Sequence, residues 1–206
     1  MARVRKNPVE RQQELMDIAL ELFCSKGYEQ TMVQDICQQA GVAKGTFFYY
    51  FPTKEDVLKA IFDRWTNRFV EYYTRQSQSM DSVEKLQMLL DFFRADNPMD
   101  DMIDRLWDDR RGDLIDLLWK RCLTRGFRPL LKGILLQGID EGAMMMDDLD
   151  TRMDFFWAIL DAAWPEDRQE ELGEVELARR QKVAGQLIEQ LFSMKAGCLA
   201  PFYEAI

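Results

Sequence analysis

Histidine is absent from this 206-residue chain. Its absence removes serine-histidine and cysteine-histidine catalytic pairs, imidazole metal ligands and any histidine pH switch. Cysteine is sparse: Cys24, Cys37, Cys122 and Cys198 show no Cys-x-x-Cys spacing. Neither a zinc site nor a disulfide framework is indicated, and a reducing compartment fits. No Gly-rich phosphate loop and no Gly-x-Ser-x-Gly elbow occurs. Carboxylate or lysine chemistry stays open, but an enzyme is the minority reading. No run approaches the roughly 20 apolar residues of a membrane-spanning helix, and the N-terminus lacks the apolar centre of a signal peptide. The expectation is a cytoplasmic protein with no membrane partner, no metal and no cofactor. Strand alternation, glycine hairpin turns and internal repeats are missing too.

What remains is helical rhythm, in a chain long enough to bury a substantial core. Asn7 as a cap, Pro8 behind it and Gly27 beyond bracket a first helix whose Leu15, Ile18, Ala19, Leu22 and Phe23 recur at three-and-four spacing. Val33, Ile36, Cys37 and Ala40 mark a second, Gly41 a turn, and Ala43 to Phe51 a third. Pro52 ends that segment. Thr53 with Asp56 resembles a capping box, opening a long helix whose stripe runs from Val57 to Tyr73. Asp81 and Glu84 cap another run, ended near Asn97 and Pro98. Further helices are expected around Met102–Trp107, Leu114–Leu123, Arg128–Glu141, Leu149–Ala163 and Val175–Leu199. The fold class is all-α.

The net charge of -9 is unevenly spread. Residues 1 to 54 hold seven basic against six acidic side chains, so the acidic excess lies beyond them. Arg3, Arg5 and Lys6 form a basic arm at the start, a pattern that is commonly just a solubilising tail.

The segment from Thr31 to Tyr50 carries the functional inference. Two short helices cross steeply only if the turn between them accepts a left-handed residue, which Gly41 supplies. Ile36, Val42 and Phe47 face inward in that arrangement. The outward side then shows Lys44, Gly45, Thr46, Tyr49 and Tyr50, a mix of cation, exposed backbone, hydroxyl and aromatic groups suited to phosphates and base edges. Lys54 adds a charge at the start of the next helix.

At these residues the chain resembles the TetR family of bacterial transcription regulators. The matching runs are Met32-Val33-Gln34-Asp35-Ile36-Cys37, Ala40-Gly41-Val42, Lys44-Gly45-Thr46-Phe47-Phe48-Tyr49-Tyr50-Phe51 and Lys54-Glu55, within roughly residues 9 to 62. Later, only the stretch from Phe127 to Gly142 is similar in detail. Two positions depart from the family pattern. Met32 replaces a usual Thr or Ser, which moves the expected cap and phosphate contact to Thr31. Phe48 stands where Tyr is usual and removes a hydroxyl.

The resemblance implies a helix-turn-helix DNA-binding domain over residues 1–52, joined by a long helix to a helical ligand-binding and dimerisation domain over 53–206. It implies a homodimer through the last two helices, reading a palindromic double-stranded DNA operator and released from it by a small-molecule effector. The DNA-facing set becomes Thr31, Gln34, Lys44, Gly45, Thr46, Phe48, Tyr49, Tyr50 and Lys54. For the dimer, Leu149, Met153, Phe156, Trp157 and Leu160 form one candidate stripe and Ala184, Leu187, Ile188, Leu191 and Phe192 another, with Gly185 between; burial within one chain is the competing reading. For the effector, Phe93, Trp107, Leu118, Trp119, Cys122 and Trp157 offer an aromatic lining, although aromatics at helical spacing are core residues more often. Asp100, Asp101, Asp104, Asp108 and Asp109 would favour a cationic effector or simply form a solvated face. The overall acidity leaves one alternative, a helical protein-interaction adaptor that does not bind DNA.

Overall fold

The structure, a computed structural model, describes residues 7–94, 99–163 and 173–199. The basic arm, the Asn97-Pro98 stop and the loop around Pro165 lie outside the described residues. Ten α-helices and no strand occur among those described: α1 Pro8–Lys26, α2 Val33–Gln39, α3 Lys44–Tyr50, α4 Lys54–Gln76, α5 Ser82–Arg94, α6 Asp100–Asp108, α7 Gly112–Cys122, α8 Arg128–Asp140, α9 Leu149–Ala163 and α10 Glu174–Leu191. Local chemistry sets several boundaries. The Asn7 side chain accepts from the Val9 N–H at 3.1 Å while Glu10 accepts from the Asn7 N–H, satisfying donors that a helix start leaves free. Asp81 and Glu84 exchange the same pair of bonds at 2.9 and 3.0 Å before α5. At α4, the Thr53 hydroxyl accepts from the Asp56 N–H at 3.0 Å and donates to the Asp56 carboxylate at 2.8 Å.

Two compact units result. The first takes Met1–Glu71 with Asp96–Gly126, the second Tyr72–Ala95 with Phe127–Ile206. By packing, α6 and α7 therefore belong with the three N-terminal helices, a division that runs across the functional boundary read at residue 52. In the first unit, fully buried Leu15, Ala19 and Phe23 of α1 meet a core shared with Ile36, Phe47, Leu58 and Leu106. Arg64 of α4 bonds back to Gln13 at 2.6 Å and Asp17 at 2.8 Å on α1. Asp63 takes Arg121 of α7 at 2.7 Å and Arg125 at 3.3 Å.

A π-helical turn, Leu123–Phe127, follows α7. Within it Gly126 is buried, and a Cβ there would lie 2.3 Å from the Thr66 methyl. Thr66 is held in place, its hydroxyl donating to the Phe62 carbonyl at 2.9 Å with Cys122 Sγ 3.1 Å away.

In the second unit α5 packs on α8, α8 on α9, and α9 along α10. Phe156 of α9 stacks on Phe192 at 5.8 Å between ring centroids. The Tyr73 hydroxyl donates to the Lys85 carbonyl, Lys85 Nζ to Gln137 Oε1 at 2.6 Å, and the Ser82 N–H to Glu141 at 2.9 Å. The last helix ends at Leu191, eight residues before the expected end near Leu199. There the chain reverses: Ser193 adopts φ 50°, its N–H donates to the Gln190 carbonyl, and the Met194 N–H donates to the Glu189 carbonyl at 2.8 Å, a left-handed helix stop. The buried Glu189 carboxylate then takes the N–H groups of Gly197 and Leu199 at 2.9 and 2.7 Å. Apolar periodicity through Leu199 does not reveal such a stop.

Replacing Gly126 with Ala is expected to lower unfolding free energy by about 1–3 kcal/mol, because Thr66 must leave its hydrogen bonds to admit the methyl. A urea midpoint equal to that of the parent protein would show that the turn relaxes freely.

Candidate nucleic-acid interface

The turn between α2 and α3 fixes the geometry of the first unit's exposed face. Gly41 takes φ 64°, its N–H donates to the Gln38 carbonyl at 3.2 Å, and the Val42 N–H donates to the Cys37 carbonyl at 2.9 Å. Both bonds satisfy carbonyls that the end of α2 leaves free, in the pattern that needs a left-handed residue. Phe47 then anchors α3. It is fully buried, with its ring 5.8 Å from that of buried Phe51.

With Phe47 inward, the opposite side of α3 is presented to solvent. Lys44, Gly45, Phe48 and Tyr49 are exposed, while Thr46 and Tyr50 are half-buried. Tyr49 is 79% exposed, and its ring stands edge-on to Tyr50 at 5.0 Å. Gln34 is exposed on α2. A Cβ at Gly45 would meet nothing within 4 Å, so no contact inside the chain requires glycine at that position.

Two residues of the expected DNA-facing set are corrected. Thr31 is 1% exposed, and its hydroxyl donates inward to the carbonyls of Gly27 at 2.8 Å and Leu22 at 3.2 Å. It ties the end of α1 to the turn that follows, and it has no hydroxyl free for a phosphate. Nor does it cap α2. The Met32 N–H there donates to Asp35 Oδ2 at 3.1 Å, and the same carboxylate takes Lys26 Nζ at 3.0 Å. The Lys26 bond first, then the Met32 bond, hold the Asp35 carboxyl below its usual range.

Lys54 is also turned inward. Its ammonium donates to the carbonyls of Tyr28 at 2.7 Å and Thr31 at 3.2 Å and lies 4.1 Å from the centre of the Tyr28 ring. Burial lowers the Lys54 pKa from its ordinary value, with nearby Glu29 opposing, and burial pushes the Tyr28 phenol up to about 12. From the other side Arg111 pairs with Glu29 and, at 2.8 Å, with Asp113, while Asp109 accepts the Glu29 N–H at 2.9 Å. Asp109 therefore holds the α1–α2 turn, a role hidden in the sequence within a run of aspartates.

The family described as bacterial regulatory proteins, tetR family, matches residues 15–61. The fatty acid metabolism regulator protein of Bacillus subtilis is 30% identical over 146 residues, 68% of this chain and 73% of that protein. The chain belongs to the TetR family of bacterial transcription regulators. Solved structures agree in fold. A TetR transcription regulator from Haloarcula marismortui superposes with a TM-score of 0.63 at 23% identity, covering 90% of this chain and 98% of that one. The regulator FadR from Bacillus subtilis, in complex with stearoyl-CoA, gives 0.55 at 23% identity, covering 88% and 97%. TetR-family structures carry an N-terminal helix-turn-helix and a helical C-terminal domain, and helices α1 to α3 are the former in this regulator.

Elsewhere in this TetR-family chain, the six aromatic and apolar residues expected to line one effector site divide between the two units. Phe93 and Trp157 belong to the second, their rings 5.9 Å apart in a cluster with Phe127 and Phe156. The Trp157 Nε1–H is buried with no partner among the described residues. Trp107, Leu118, Trp119 and Cys122 belong to the first unit; Leu118 and Cys122 are core residues there, and Trp107 and Trp119 are exposed.

For most residues of the two candidate dimer stripes the competing reading, burial within one chain, holds. Met153, Phe156, Ala184, Ile188 and Phe192 are buried within the chain. Leu187 of the second stripe is exposed on α10, and with Val183 beside it and Phe155, Ala158 and Ala162 on α9 it flanks a groove of about 460 Å³. Periodicity reports an apolar face but not whether its partner is the same chain.

Lys54→Met is expected to cost about 1.5–3 kcal/mol, the range for hydrogen bonds to a charged group, read as a lower urea midpoint at unchanged slope. Gly41→Val is expected to cost about 1–2 kcal/mol through its left-handed backbone. Unchanged midpoints in both variants would show that neither contact holds the helix-turn-helix.

Proposed function

We propose that this TetR-family regulator is a repressor that binds a palindromic DNA operator as a homodimer and is released by a small-molecule effector. The observation that carries the reading is the outward face of α3, where Lys44, Gly45 and Tyr49 are exposed while Phe47 and the Gly41 turn fix their tilt. A cation, a bare stretch of backbone and a phenol are what phosphates and base edges of a major groove require. Gly45 supports this, because the room left by its missing side chain faces outward and lets another backbone approach. The DNA-facing set is Gln34, Lys44, Gly45, Thr46, Phe48, Tyr49 and Tyr50, in a DNA-binding domain of about residues 1–52.

The apolar face of α9 and α10 supports a homodimer. Phe155 is 60% exposed, Val183 48% and Leu187 44%, and a two-fold interface needs a patch that complements itself. Alanines 158 and 162 leave room for a symmetry-related helix pair. Two recognition helices related by that axis call for operator half-sites about 34–36 Å apart or at a multiple.

The effector reading rests on the aromatic cluster around Phe93 and Trp157 and its unpaired indole N–H. Long-chain acyl-CoA is the class to test first, since the FadR structure holds stearoyl-CoA. The place of action is the cytoplasm, consistent with no described helix being long and apolar enough to cross a membrane.

For Lys44→Ala, operator affinity should fall and the slope of log affinity against log salt should shrink by about 0.9 per protomer. Lys54→Met should leave that slope as it is. Equal slopes for the parent protein and Lys44→Ala would remove Lys44 from the phosphate contacts. A charge in the apolar face, Leu187→Glu, should convert a dimer to a monomer in sedimentation and weaken operator binding; a dimer that survives it places the interface elsewhere.

A further inference from the structure

Phe48 is the one hydrocarbon side chain on the exposed side of α3. It is 47% exposed, and its ring stands edge-on to buried Phe47, 5.6 Å between centroids at 88°. That contact holds the ring in place rather than leaving it to swing in water. Lys44 lies four residues earlier and Gly45 three, so both share the Phe48 face one turn towards the start of α3. Gly45 adds no side chain there, and a Cβ would meet open space. The face therefore reads, along its length, as a cation, a gap and a fixed phenyl ring.

A phenyl ring has no hydrogen to donate in a conventional hydrogen bond and no lone pair to accept one. It gains nothing from phosphate oxygens or from the donors and acceptors of base edges. In a major groove the apolar group on a base edge is the 5-methyl of thymine. We infer that Phe48 reads a thymine methyl group in each operator half-site and so sets base preference at that position. The inference rests on α3 being the DNA-reading helix. The ring loses its water against the methyl, and Lys44 and Tyr49 carry the polar contacts around it.

The test uses the full chain and a duplex recovered by repeated selection from a randomised DNA pool. Each thymine of that duplex is replaced in turn by deoxyuridine, which removes the methyl and leaves pairing intact. One thymine in each half-site should be sensitive, its replacement weakening binding about fourfold, as expected for burial of a single methyl. In Phe48→Ala that sensitivity should vanish, and in Phe48→Leu part of it should remain. Indifference of the parent protein to every replacement overturns the inference, as does a Phe48→Ala loss that is uniform across all duplexes, which would place the ring against backbone sugars. Failure of the selection to enrich any duplex overturns the DNA-binding reading and this inference together. A recovered duplex with a Lys44-dependent salt slope but no methyl effect sinks only the role of Phe48.

Discussion

A steep crossing of two short helices depends on one backbone angle. Gly41 sits at φ 64°, a conformation that costs a residue with a side chain about 1–2 kcal/mol. Once that angle is accepted, the N–H groups of Gly41 and Val42 find carbonyls at the end of α2, and the chain re-enters a helix at Lys44. Phe47 then needs only to be buried for the rotation of α3 to be settled, since the residues beside it in sequence must face out. The exposed face of α3 is thus a by-product of a turn and a single anchor. Neither α2 nor α3, at seven residues each, would hold its shape without them.

The α1–α2 turn shows how a strongly acidic chain spends its charges internally. Lys54, Arg111 and Asp109 converge on Tyr28 and Glu29. The Tyr28 carbonyl also accepts from the Thr31 N–H at 3.3 Å, and one ammonium can serve several carbonyls at once. Arg105 donates to the Cys24 carbonyl at 2.9 Å in the same region. These bonds lie within one compact unit, and they explain why α6 and α7 pack with α1 to α3 although the chain reaches them only after α4 and α5.

Most helix boundaries were legible because their determinants are local. Asn7 with Glu10, Asp81 with Glu84 and Thr53 with Asp56 each close a bond pair within three residues, and Gly27 and Gly41 adopt the positive φ values their positions suggested. What escaped was decided by groups distant in sequence. Thr31 and Lys54 looked like outward polar residues, yet the carbonyls that claim them lie up to 26 residues away. The exposed face of α9 differs from the buried one by a single step, Phe155 against Phe156, and a helical pattern with apolar residues on adjacent positions does not choose between them. The Ser193 reversal was invisible for a related reason: a serine in a left-handed stop carries none of the glycine signal that marked the other helix ends.

The staple between Lys54 and the carbonyls of Tyr28 and Thr31 bears on how a signal would travel. The first residue of α4 is bonded to the segment that delivers the chain into α2, so the start of the long helix and the two-helix head make up a single mechanical block. Independent swivelling of α3 against α4 would have to break charge-assisted bonds of about 1.5–3 kcal/mol. Tilting the block whole breaks none of them. The start of α4, the α1–α2 turn and α3 therefore keep their internal arrangement when that part of the first unit moves.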